Sequence, residues 1–100
     1  MSRATGSIHY RNLAKSEPMK RVLLLLLDGG WHGTREIARR ADVCAVNSLA
    51  KELRMNGFDN TCDRKSPPSY RLDDLAAARE RVKELLDEET AKIFLGRKAA

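Results

Sequence analysis

Cysteine is scarce in this chain: Cys44 and Cys62 are the only two among 100 residues. They fall in different predicted elements and form neither a CxxC nor a Cys/His ligand spacing. A disulfide framework and a zinc site are therefore not expected, and both thiols are predicted to be free in a reducing cytosol. Long hydrophobic runs are missing as well. The run at residues 22–27 has six apolar residues and is closed by Asp28. A membrane span needs about 20 and a signal-peptide core about 7–15. The chain thus reads as soluble and cytoplasmic, with no targeting segment. Aromatic residues make up only 5% of it, which fits a small helical core better than a β-sandwich.

Catalytic patterns are lacking too. No Ser/His/Asp or Cys/His set stands at useful spacing, there is no P-loop or GxGxxG, and no metal-ligand cluster is evident. Asp73-Asp74 reads as a helix cap rather than an acid/base dyad. The expectation is a protein that is not an enzyme, with no cofactor, no metal and no small-molecule ligand.

What is present is charge and helical patterning. The chain is 33% charged and 42% hydrophobic, with a net charge of +5, a balance that suits a polyanion partner. The excess is uneven: residues 1–21 carry +4, residues 22–72 carry +2 and residues 73–100 carry −1. One hundred residues amount to one domain.

Residues 1–15 show little periodicity and read as a flexible basic N-terminal arm, able to lie along phosphates or in a groove. Ile8, Tyr10 and Leu13 offer it an alternative, docking on the domain or on a partner. Ser16 or Glu17 caps a first helix over 19–28, with Pro18 in its first turn, where a missing N–H costs nothing. Gly29-Gly30 ends it. Trp31 is expected to plug the gap between helices one and two on a very short strand, and His32 reads as a surface or loop histidine.

Thr34 is expected to cap the second helix. Ile37, Ala38 and Ala41 lie on its core side, with Arg35, Arg39 and Arg40 outward. Asp42-Val43 forms a turn. A third helix runs from Cys44 or Ala45 to Asn56. Val46, Leu49 and Leu53 recur at i, i+3 and i+7 and line one buried face, flanked by Ala50. Ala45, Asn47, Ser48, Lys51, Glu52, Arg54 and Met55 face outward. Gly57 supplies the left-handed end and Phe58 returns to the core. Residues 59–64 and 70–72 read as two strands of a small hairpin, joined by a loop stiffened by Pro67 and Pro68. Asp73 or Asp74 caps a last helix running to about Leu95. Its stripe of Leu75, Val82, Leu86 and Ile93 packs either on its own domain or against its copy in a dimer.

The second half of this pattern resembles the winged helix-turn-helix superfamily. TREIARRADV is similar to the second helix and turn of many bacterial regulators. LAKELRMNGF followed by SYRL resembles small phage and prophage helix-turn-helix proteins more closely. Leu49, Glu52, Leu53, Arg54, Gly57 and Phe58 match their third helix, and Tyr70, Arg71 and Leu72 their return strand. The likeness covers roughly residues 19–72. It departs at Asp42, where glycine is common, in a turn about two residues shorter, and at Asn60, where a β-branched residue usually starts the wing.

The resemblance implies a mainly α fold with a small β-hairpin wing: a winged helix-turn-helix over 16–73 plus a C-terminal helix over 74–96. It implies sequence-specific binding of double-stranded DNA by a small phage or bacterial transcriptional regulator. The chemistry agrees, since short polar side chains on a helix reach base edges in the major groove. Asn47, Ser48 and Lys51 are the base-reading candidates, and Arg54 suits a phosphate. Arg35, Arg39 and Arg40 suit the flanking backbone, and Arg64 and Lys65 at the wing tip suit a minor groove or phosphates. The N-terminus of the second helix adds backbone N–H groups. The competing expectation is a winged-helix interaction module, an adaptor or a phage inhibitor of a host enzyme, that does not read DNA.

Overall fold

The computed structural model describes residues 12–65 and 67–96. These residues form a mainly helical fold with one small antiparallel sheet. A short 3-10 turn, Leu13–Lys15, leads into α1, Glu17–Leu26; then come β1, His32–Gly33, α2, Thr34–Arg40, and α3, Val46–Met55. The hairpin strands β2, Asn60–Asp63, and β3, Ser69–Leu72, follow, and α4, Leu75–Leu85, and α5, Glu88–Leu95, close the described chain. The sheet order is β1-β3-β2. His32 pairs with Tyr70 on one side of β3, and Cys62 pairs with Tyr70 on the other.

α1 forms from the predicted Ser16 cap, but over Glu17–Leu26, two residues earlier at each end than the expected 19–28. Ser16 accepts the amide N–H of Met19 at 3.3 Å, and the proline sits in the first turn. Met19, Val22, Leu23, Leu25, Leu26 and Leu27 are all buried, so the helix is wrapped on more than one side. The chain leaves α1 through Gly29, at φ +80, where a Cβ would meet Leu75 at 2.8 Å. α3 buries Val46, Leu49, Ala50 and Leu53, as its spacing requires. Asp42 has φ 53, so the turn position where glycine is common does adopt the left-handed conformation that Asp tolerates.

Five expectations are corrected. Thr34 does not cap α2. Gly33 is the N-cap, and both the Thr34 amide and its hydroxyl donate to the Pro68 carbonyl, at 2.9 and 3.1 Å. This pins the start of α2 to the hairpin. Trp31 is not a plug: it is 44% exposed, and the Arg71 guanidinium lies 4.6 Å from its ring centre. His32, expected at the surface, is 5% exposed, because β1 pairing turns its ring into the space between α1 and α2.

The last helix is two helices. Leu86 is extended and buried, and Asp87 starts α5 by accepting the Thr90 amide N–H at 2.8 Å. An acid three residues before a threonine and two after a leucine forms a new cap within an otherwise continuous helical pattern. The break lets Ala91 and Phe94 join the same core as Ala78 and Val82, so residues 74–96 are part of the main fold rather than an appendage.

The other boundary moves too. Leu13 is fully buried and Asn12 caps the 3-10 turn, so the folded unit begins before Ser16. The remaining arm, including Ile8 and Tyr10, lies outside the described residues. Cys44 and Cys62 are free thiols. No helix of the described residues is long and apolar enough to cross a membrane.

Candidate nucleic-acid interface

All nine candidate contact residues are exposed. On α3, Asn47, Lys51 and Arg54 form one stripe at i, i+4 and i+7, opposite the buried Val46, Leu49 and Leu53. The edge of that stripe nearest the hairpin is held in place. The Tyr70 hydroxyl donates to Asn47 Oδ1, which ties this exposed side chain to β3. Burial, and then the neighbouring Cys62 thiol, pushes the Tyr70 phenol above its ordinary range, so it remains a donor at neutral pH.

Arg54 is likewise engaged. Its Nη1 donates to Asn60 Oδ1 at 2.8 Å. Asn60 is 7% exposed and its Nδ2 donates to the carbonyls of Ala50 and Phe58, both at 3.1 Å. The residue that departs from an apolar wing start is thus the clasp between α3 and β2. It adds side-chain hydrogen bonds to the Ala50 and Phe58 carbonyls that a Val or Ile could not make. On the other edge of α3, Ser48 borders a hollow of about 350 Å³ that also touches Pro18, Cys44 and Glu52. Lys51 and Ser48 have no side-chain hydrogen bond or ion pair among the described residues.

The α2 arginines divide. Arg35 and Arg39 are exposed, unpaired among the described residues and one turn apart. The Thr34–Pro68 bonds set Arg35, at the start of α2, beside the hairpin. Arg40 is drawn elsewhere, donating to Glu36 at 2.8 Å and lining a groove with Arg21 and Lys92. At the hairpin end, Arg64 and Lys65 are exposed, and the Lys65 amide is bonded by Asp63 at 3.0 Å. Hence Asn47, Lys51, Arg35 and the hairpin bases are tied to one neighbourhood through Tyr70 and Pro68, Ser48 lies at its α1 side, and Arg40 stands apart.

The chain matches no family model, no curated protein and no solved structure.

Sequence reasoning did not identify the polar residues that organise this surface. The sequence places Tyr70 in the return strand, but its bond to Asn47 needs the packing of α3 on β3. His32 is the other case. Its Nε2 lies 2.8 Å from Asp28 Oδ1 and 3.0 Å from Oδ2, while its Nδ1 lies 2.9 Å from Glu36 Oε2. The bond from His32 is the chief reason the Glu36 carboxyl is held below its ordinary value of 4.5, with Arg40 adding to the effect. The carboxylates sit on opposite ring nitrogens and do not converge on one point, and among the described residues no group of three His, Cys, Asp or Glu could hold a metal ion. This cluster joins the end of α1, β1 and α2, and so fixes the helix that carries Arg35 and Arg39.

Proposed function

We propose that the chain is a sequence-specific double-stranded DNA-binding protein of winged helix-turn-helix type, a small transcriptional regulator of the phage or bacterial kind. In this reading α3 enters the major groove, Lys51 and Ser48 contact base edges and Asn47 reads adenine. Arg35 and Arg39 contact flanking phosphates, and Arg64 and Lys65 contact the backbone beside the wing. The order α2, turn, α3, hairpin supports it. The observation that carries it is the central stripe of α3, where Lys51 is exposed and unpaired beside an Asn47 amide oriented by Tyr70. Arg54 contributes through Asn60 as a support for the helix end and less as a contact.

The test is a random-sequence duplex selection with the purified protein, followed by anisotropy titrations on the selected site. Lys51→Ala and Ser48→Ala should reduce discrimination between selected and random duplexes by about 10-fold to 100-fold each. Arg39→Ala should weaken all duplexes alike and lower the salt slope by about one. Absence of duplex binding at low salt rejects the proposal.

A second reading, an interaction module that keeps the fold without reading DNA, is favoured by one observation. Asn47 and Arg54 are bonded within the chain, and Glu52 flanks Ser48, which thins the reading face. Duplex binding that is unaffected by Lys51→Ala, Ser48→Ala and Arg39→Ala together would favour it.

A further inference from the structure

We infer that the face shared by α1, the end of α2 and α5 is a self-association surface, through which two copies of this chain form a twofold dimer with their α5 helices antiparallel. A groove of about 680 Å³ opens there. Leu24, Leu25 and Ala41 give it an apolar wall, and Arg21, Arg40 and Lys92 surround that wall with positive charge. Among the described residues no acidic side chain lines it.

Ile93 stands at the margin of this groove and is 65% exposed, the most exposed large hydrophobic side chain among the described residues. It is also the one member of the C-terminal apolar stripe with no place in the core: Val82 and Leu86 are buried and Leu75 is packed against the core. A protruding apolar side chain and an apolar hollow therefore occur on one patch. That is the condition for an isologous contact, in which each copy inserts its knob into the other's hollow.

The charges are self-complementary in the same sense. The first turn of α5 carries the exposed acids Glu88 and Glu89, and Lys92 follows. An antiparallel second copy brings its acidic turn toward Lys92, Arg21 and Arg40 of the first. Two of those bases are already held in position. Arg21 donates to the Ala41 and Asp42 carbonyls at 2.6 and 3.2 Å, and Arg40 donates to Glu36. Lys92 has no partner among the described residues.

The inference does not rest on DNA binding and is tested without it. Sedimentation equilibrium of the full chain, from low micromolar to millimolar protein, should show a monomer–dimer equilibrium. Ile93→Glu should raise the dissociation constant by at least about 30-fold, because a twofold contact carries the lesion twice. Since Ile93 is exposed, circular dichroism and the thermal midpoint of the monomer should stay unchanged. Lys92→Glu should weaken the dimer and Glu89→Lys in the same chain should restore it. A monomer at every concentration overturns the inference. So does a dimer indifferent to Ile93→Glu, or a double charge exchange that fails to restore association.

Discussion

Two buried asparagines hold this molecule together at the residue scale, and neither was apparent from the sequence. The helical pattern predicts Asn56 only as the last residue of α3. In the fold its Oδ1 accepts the Leu13 amide at 3.0 Å, its Nδ2 donates to the Glu52 carbonyl at 2.8 Å, and its own carbonyl accepts from Arg81 Nε at 2.8 Å. Three segments meet on one side chain and its peptide. Removing it leaves buried groups unsatisfied, so Asn56→Ala should lower stability by about 1–3 kcal/mol, read as a shift of the urea midpoint at constant m. Such bonds have sequence separations of 25 and 43, and no local pattern encodes them. Glu36 gives a pH prediction. Its folded carboxyl titrates below the ordinary value, so it contributes stability that is present above about pH 4.5 and is lost as the pH falls through the folded value. Urea denaturation of Glu36→Gln should accordingly show a shallower acid limb than that of the parent protein.

The elements themselves were largely legible. The i, i+3, i+7 spacing of Val46, Leu49 and Leu53 fixed the buried side of α3 and hence which candidates could be exposed. Ser16-Glu17-Pro18 fixed the start of α1. Where element boundaries moved, a local hydrogen bond competed with the periodic pattern. Asp87 split the last helix because its carboxylate bonds the Thr90 amide, an interaction that also holds its carboxyl below the ordinary range. The depressed value makes this cap strongest above the ordinary carboxylate range and weakest in acid. Asp87→Ala should therefore speed amide exchange in the first turn of α5 at neutral pH while leaving α4 protected. Gly57 is a firmer stop: φ is +96 and a Cβ would lie 2.6 Å from Arg81 Nε. Gly57→Ala should destabilise by more than the about 1 kcal/mol of a left-handed alanine alone. A thermal melt compared with Gly96→Ala, where the nearest atom is a backbone oxygen at 3.4 Å, checks this.

At the scale of the whole molecule, one core collects side chains from Leu13 to Phe94. The expected division into arm, domain and appended helix dissolves because Leu13 at one end and Ala91 and Phe94 at the other are needed to cover α1 and α4. Leu13→Ala should cost about 2–5 kcal/mol, the range for a fully buried leucine, measured by denaturant unfolding. A core of this kind also bears on ligand binding. The surface proposed for DNA and the groove of α1, α2 and α5 share α2, with Arg39 on one side and Arg40 on the other. Trp31 adds a reporter to this arrangement. It is the sole tryptophan, half open to water beneath the Arg71 guanidinium, just before the strand β1 that pairs with the hairpin. The tryptophan emission of the protein therefore comes from that single seam. An anion that draws Arg71 off the indole, or a displacement of the hairpin, will change the emission without any label having been attached.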